Sequence, residues 1–369
     1  MIYLDHNATT PIDGRVLDAM LPFLKMFYGN PSSLYRHGRI VRSAIDTARG
    51  QLAAVCDADA SQLIFTSGGT EANNLALATL APQSPFAISA IEHPSITEPA
   101  QHLKGMGHAL TIIDVDADGL VTEEAIDKLI PQQPGLVSIM LANNETGVIQ
   151  NIEHITGRLK ASNITVHTDA VQALGKIPLS FRRLGVDLMS LSSHKIYGPK
   201  GCGALVFSKS MPIKPLLRGG GQEQGLRAGT ENVAAIVGFG KAAELARAEL
   251  AERNGRLLRL RQMLEQGLGS IPGLAVFAGH TNRLPNTVQF GIHGVDGEML
   301  LMKLDRKGIA VSSGSACASS GGKPSPVLSA MGITDEQAKT AIRISFGEMN
   351  TEAEVFEFIN ILSVLVNQA

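Results

Sequence analysis

The 369-residue chain is short of cysteine, of charge and of long apolar runs, and each shortage closes off a class of function. Its three cysteines, Cys56, Cys202 and Cys317, lie far apart and in different local surroundings. They form neither a disulfide framework nor a CxxC metal site, so no metal centre is expected, and the compartment they suit is a reducing cytoplasm. Charged residues make up 18% of the chain, against a usual share of about 25%, and the formal net charge is −2. Such a balance gives no electrostatic footprint for a nucleic-acid partner. No apolar run approaches the roughly 18 residues of a membrane span. The first residues, Met1 to His6, have neither a basic nor an apolar leader region, so no signal peptide is expected. A GxGxxG opening the first βαβ unit is missing, as is a Walker A loop, which counts against dinucleotide and nucleoside-triphosphate sites.

What is present is a globular composition. Hydrophobic residues reach 44%, and the length provides roughly two to three domains' worth of chain at about 150 residues each. Short apolar runs alternate with helical stretches over the first two thirds, the βαβ pattern of a largely parallel sheet. Strands are predicted at Gln62–Thr66, Phe86–Ile91, Leu110–Val115, Leu136–Leu141, Thr165–His167, Leu188–Leu191 and Ala204–Phe207. One long helix is predicted over Ala234–Arg261. A second alternating region follows, with strands near Leu274–Phe277, Asn286–Phe290 and Ala341–Ser345 and helices near Gly297–Leu304 and Glu352–Val366. Residues 312–325 are crowded with Ser and Gly and read as a loop.

Ligands of open α/β sheets sit beyond the carboxyl ends of the strands, so those ends are where chemistry is sought. Ser67-Gly68-Gly69-Thr70 leads into a helix, and its backbone N–H groups and helix dipole suit an anion. An ordinary βα turn with Thr70 as its cap would use the same residues. The next strand ends bring Glu92 and His93, then Asn143, Asn144 and Glu145, then Asp169 with Gln172, then Ser192, Ser193, His194 and Lys195. Any one could be a solvated strand end. Together they offer an anion cradle, an imidazole, an amide, a carboxylate and an amine. That inventory suits pyridoxal 5′-phosphate, which needs a lysine, an acidic partner for its ring nitrogen and a phosphate cup.

Two further residues stand out. Cys317 lies in Ser312-Ser313-Gly314-Ser315-Ala316-Cys317, a polar stretch where a thiol is either incidental or a nucleophile carried on a loop. Arg343 lies in the apolar run Ala341–Ser345, where a guanidinium needs an anionic partner: a substrate carboxylate or an internal salt bridge.

At these residues the chain resembles the cysteine desulfurases of the NifS/IscS type, pyridoxal-phosphate enzymes of the class V aminotransferase group. The resemblance runs from Tyr3-Leu4-Asp5-His6-Asn7-Ala8-Thr9-Thr10-Pro11 to about Thr351. It is most specific in Ser192-Ser193-His194-Lys195, His167-Thr168-Asp169-Ala170 and the stretch ending at Cys317, which is similar to the long-loop group. It implies fold type I: a large domain over 12–249 with a mostly parallel seven-stranded sheet, and a smaller α+β domain from 1–11 and 250–369 that carries the cysteine loop 312–325. It implies that Lys195 bonds the cofactor, Asp169 pairs with its ring nitrogen, His93 stacks on the ring and Gln172 reaches its phenolic oxygen. Gly69, Thr70, Ser192 and His194 would hold the phosphate, with Thr230 reaching the phosphate of the other subunit in a homodimer. Arg343 and Asn144 would bind the carboxylate of L-cysteine, and Cys317 would accept its sulfur. The products implied are L-alanine and a Cys317 persulfide, handed to an acceptor such as an iron–sulfur scaffold protein.

Three departures are visible. Tyr35 stands where the pattern usually has His, Lys323 and Pro326 alter the exit of the cysteine loop, and the chain ends sooner than relatives with a scaffold-docking extension. Alternatives are transamination or selenocysteine lyase chemistry on the same scaffold, and a partner-dependent sulfur-transfer component with weak activity alone.

Overall fold

A computed structural model of the chain describes residues 1–313 and 324–367; Cys317 and Lys323 lie outside the described residues. In chain order the strands are β1 Ile2–Tyr3, β2 Leu63–Thr66, β3 Phe86–Ser89, β4 Leu110–Ile113, β5 Leu136–Ser138, β6 Thr165–Asp169, β7 Leu188–Ser192, β8 Gly203–Phe207, β9 Leu274–Val276, β10 Thr287–Ile292, β11 Ile309–Ala310 and β12 Ile342–Ser345.

The seven strands predicted for the first two thirds form one sheet, in the order β2-β8-β7-β6-β5-β3-β4. All run parallel except β8, which is antiparallel to both neighbours. The carboxyl ends of β2, β3, β5, β6 and β7 therefore share one edge. Helices cover both faces, so β3, β5 and β7 are buried throughout and read as apolar runs broken only by Ser89, Ser138, Ser190 and Ser192. The helix Arg36–Cys56 shows how a covering helix is specified. Val41, Ile45, Ala48, Leu52 and Cys56 recur at helical spacing and are buried, and the helix stops at Asp57, whose φ of 51° is left-handed.

Strand lengths differ from expectation at the site edge. β6 and β7 run on to Asp169 and Ser192, past the predicted ends. β3 and β5 stop early: after β5 the Ile139 and Leu141 N–H groups still donate to His167 O and Asp169 O of β6, but the Met140 N–H between them turns to Glu92 Oε1 at 2.7 Å.

The long helix predicted over Ala234–Arg261 is two helices, Val233–Ala248 and Leu250–Leu268. Glu249 between them leaves helical geometry, with φ −104° and ψ 6°. Its carboxylate is held from two sides by Arg15 and Arg253. The break lets the first helix pack on Arg36–Cys56 and the second on Glu352–Asn367. The composition does change at the junction, from a nearly all-apolar first helix to a charged, arginine-rich second half that the sequence assigns to the smaller domain, but the helical spacing continues across it and does not mark a break.

The second sheet is antiparallel, in the order β12-β10-β9. Its core gathers Leu260, Leu264, Phe290, Ile344, Phe346 and Phe358. The amino-terminal β1 pairs with β11, and Asp5 bridges to Ser345 beside β12. The chain then runs from this sheet straight to the edge of the large one.

Candidate active site

The loop from β2 reaches the helix Gly69–Leu77, whose first turn abuts the end of β7. A Cβ on Gly69 would come within 3.0 Å of Val171 and 3.6 Å of Ser192. The Ser192 hydroxyl is buried there with no hydrogen-bond partner. A buried hydroxyl at a helix N-terminus, both with unspent donors, is a cradle for an anion. His194 lies two residues on, its Nδ1 at 3.2 Å from Thr9 Oγ1. Burial and the nearby lysines push its pKa down to about 4, so the imidazole is neutral.

Asp169 ends β6, buried, and both of its oxygens are engaged. Oδ1 accepts from Val171 N at 2.9 Å and Oδ2 from Asn73 Nδ2 at 2.7 Å. The same Asn73 amide donates to Ser95 Oγ at 2.8 Å, and that hydroxyl sits 2.8 Å from His93 Nδ1. His93 also caps the helix Pro94–Gly105, with Nδ1 accepting the Ser95 N–H at 3.1 Å. An Nδ1 that accepts assigns the remaining proton to Nε2. Burial lowers the His93 pKa, the Asp169 charge opposes this and the Lys195 charge adds to it. The imidazole is thus neutral and presents an Nε2–H.

Lys195 closes the short turn after β7, and its Nζ donates to the backbone oxygens of Asn7 at 2.5 Å and Ala8 at 2.7 Å. Gln172 shares the first acceptor, its Nε2 donating to Asn7 O at 3.0 Å. The Asn7 side chain is a junction. Its amide donates to Thr287 Oγ1 at 2.9 Å and to Asn144 O at 3.2 Å, and its N–H donates to Ser345 Oγ at 2.9 Å.

Arg343, on β12, donates to Asn144 O at 3.1 Å and to Asp5 Oδ1 at 2.5 Å. Of the two partners expected for it, the structure contains the internal carboxylate. Two hydrogen-bonded groups therefore adjoin here, Asp169 and His93 through Asn73 and Ser95, and Lys195, Gln172, Asn144 and Arg343 through Asn7 and the Asn144 carbonyl; the charges of Asp169 and Lys195 both act on His93, and Gly69 and Ser192 lie beside them. Thr230 is exposed on the turn before Val233–Ala248 and makes no hydrogen bond to this group among the described residues. Cys317 falls outside the described residues, but both borders of its segment reach this site. Ser312 exchanges two backbone hydrogen bonds with Arg343, and the Ser325 hydroxyl donates to Glu145 Oε2 at 2.6 Å.

The sequence matches the family described as Aminotransferase class-V over residues 2–358. A cysteine desulfurase IscS of Methanosarcina thermophila is 43% identical over all of this chain and 92% of its own length. The chain belongs to the class V aminotransferases, within the cysteine desulfurase group. A NifS-like protein of Rickettsia africae superposes with a TM-score of 0.92 at 37% identity, covering 100% of this chain and 99% of that one. A structure titled SspA in complex with cysteine gives 0.83 at 30% identity, covering 94% and 99%. This cysteine desulfurase is accordingly a pyridoxal-phosphate enzyme of the type I fold. The residues present fit that cofactor: an amine, a buried carboxylate and an unspent hydroxyl beside a helix N-terminus meet at one edge.

Sequence reasoning passed over Asn7, Asn73, Lys176 and the state of Glu92. Asn7 lay within the quoted amino-terminal motif. Lys176 had its own signal, a lone lysine among Ala173-Leu174-Gly175 and Ile177. Asn73 had none, since it faces inward from a helix whose other inward residues are apolar.

Proposed function

We propose that the enzyme removes sulfur from L-cysteine at this edge and passes it through Cys317 to an acceptor protein, for iron–sulfur cluster assembly. The observation that supports it best is the meeting of Lys195, Asp169 with Asn73, and Ser192 with the Gly69 turn. When bound, pyridoxal phosphate supplies an electron sink at the substrate α-carbon.

Each residue then has a task. Lys195 would hold the cofactor through its amine and, as a free amine, would move the substrate α-proton. Asp169, fixed by Asn73 and Val171 N–H, would hold a proton on the ring nitrogen. The neutral His93 would help hold the ring and offer its Nε2–H for proton transfer. Gly69, Thr70, Ser192 and His194 hold the phosphate, and Gln172 donates to the ring oxygen. Arg343 and Asn144 receive the substrate carboxylate. The Cys317 thiolate attacks the substrate sulfur, forming an S–S bond as the Cβ–S bond breaks. The electron pair left on carbon takes a proton, so L-alanine leaves and a persulfide stays.

The same reading divides the chain into a large domain, 12–249, and a small domain, 1–11 with 250–369. It makes the enzyme a homodimer in which the exposed Thr230 serves the neighbouring site. A cytoplasmic location fits, and among the described residues no helix is long and apolar enough to cross a membrane.

Anaerobic turnover of L-cysteine, with alanine and sulfide quantified together, tests the reading. The wild type gives equal amounts of both. Cys317→Ser gives neither, and Lys195→Ala falls at least ~100-fold, the usual minimum for a lost acid–base group. Turnover indifferent to Cys317, or cysteine consumed without alanine, would replace desulfuration by transamination or another lyase reaction.

A further inference from the structure

Lys176 is a buried lysine with no part in the reaction as described. Its Nζ donates to Gln172 Oε1 at 2.6 Å and to Asn7 Oδ1 at 2.9 Å. Asn7 Oδ1 also accepts from Asn286 Nδ2 at 3.1 Å. Lys176 and Lys195 line one cavity together with His6 and Asn286. The charged and titratable groups that act on Lys176 are Lys195 and Arg343, and it acts in turn on His6 and His194. Glu249, Glu252 and Glu348 line the same cavity, but the influences that shift the Lys176 pKa are burial first and then these two cations, and all of them lower it.

The geometry bears on Gln172. A side-chain amide has an acceptor end and a donor end, and rotation by half a turn exchanges them. With Nζ at 2.6 Å from Gln172 Oε1 and 2.9 Å from Asn7 Oδ1, Lys176 spends one N–H on each oxygen, and two hydrogens suffice for this whether or not the amine is protonated. The amide nitrogen is then forced to the other side, where it donates to Asn7 O, the acceptor that also takes the Lys195 amine. Asn7 is fixed in the same way: its Oδ1 faces two donors, Lys176 and Asn286, so its amide nitrogen faces Thr287 and Asn144. One buried amine therefore sets the direction of both amides beside Lys195.

We propose that Lys176 is a positioning residue that locks Gln172 with its N–H side toward the reactive amine. The proposal rests on the reading of Lys195 and Gln172 given above. In pyridoxal phosphate the phenolic oxygen is ortho to the carbon that a lysine amine bonds, so a donor beside that amine meets the oxygen. A locked donor stabilises the oxygen's anionic form. An amide free to turn would offer its own oxygen part of the time and repel it.

The test is the pH midpoint of the bound cofactor's absorbance change, followed in purified holoenzyme without substrate. Lys176→Met keeps the length and removes the donor, and is expected to raise the midpoint by about half a unit or more. Gln172→Leu raises it by at least as much. The double variant Lys176→Met/Gln172→Leu matches Gln172→Leu alone, because a lock has no effect without the amide it holds. Lys176→Gln, whose own amide can turn and so offers an N–H only part of the time, is expected to raise the midpoint by less than Lys176→Met and serves where Met at this position does not fold. A merely structural lysine would lower the thermal midpoint and leave the titration where it was, which overturns the proposal. So would shifts that add in the double variant. A Gln172→Leu midpoint equal to wild type overturns the reading of Gln172 itself, and the proposal with it.

Discussion

Two regions meet at this site and are held together differently. Along the carboxyl edge of the seven-stranded sheet, three polar groups each have a partner within three residues in the chain, besides the partners that neighbouring strands and helices of that sheet bring. Glu92 is held by Ser89, His93 by Ser95, and Asp169 by the Val171 N–H. At the seam between the two sheets, partners come from opposite ends of the molecule. Asn7 bonds Thr287 and Ser345, and Arg343 bonds Asp5. The edge is shaped as soon as its strands pair. The seam takes shape only when both sheets and the amino-terminal segment are in place together. Local groups set the chemical character of the site, and distant ones set where Lys195 points.

Three substitutions would break or sharpen this contrast. The largest effect is expected at the seam. Asn7→Ala takes away the acceptor shared by Lys176 and Asn286 and the donor to Thr287 and Asn144, leaving buried groups unpaired. A stability loss of about 3 kcal/mol is expected, read from the urea midpoint of the cofactor-free protein. A loss below about 1 kcal/mol would mean that the seam is held by its apolar contacts and not by Asn7.

Next comes an edge residue with an unusual proton. Glu92 is buried beside Asp169, and its pKa is pushed up to about 8 by burial. Because the unfolded carboxyl titrates near 4.5, the folded chain alone holds the proton between those two values. This group's contribution is full below about pH 4.5 and is lost as pH rises toward about 8, at up to about 1.4 kcal/mol per unit. Glu92→Gln keeps an acceptor for Ser89 and Met140 and has nothing to titrate. Its stability relative to wild type should therefore improve by about 2 kcal/mol between about pH 5.5 and pH 7.5. Parallel urea curves at the two values, with an unchanged difference, would show that Glu92 is ionised in the folded state.

The smallest effect is expected away from both regions. Tyr35 is 58% exposed, and Tyr35→His should change stability by no more than about 0.5 kcal/mol. A larger shift in the thermal midpoint would bring this residue into the contrast, through whatever covers it.

The same contrast explains what could be read in the chain. All seven strands of the large sheet carried clear apolar runs, and Asp169, His93 and Lys195 stood at strand ends, where local pattern finds them. The two-residue pairing of β1 with β11 is too short to leave a period. The break at Glu249 falls inside a continuous helical pattern, because its cause is a pair of arginines, one of which, Arg15, is distant in sequence. Asn73 and Lys176 owe their roles to groups that only the folded chain brings near. Arg343 was found from its apolar surroundings, but Asp5 as its partner was not.

The amino-terminal segment also fixes a schedule. Asn7 leaves the ribosome well before Ser345, which binds it and lies 338 residues further on. Lys195 emerges roughly 150 residues before that partner, which at about 5–20 residues per second is on the order of 10 to 30 seconds. During that interval the large sheet can pair, yet the backbone oxygens that aim the Lys195 amine lack the Ser345 and Thr287 contacts that hold Asn7. Maturation of the active amine therefore waits for Ser345 to emerge, and a growing chain carries an unfinished site until then.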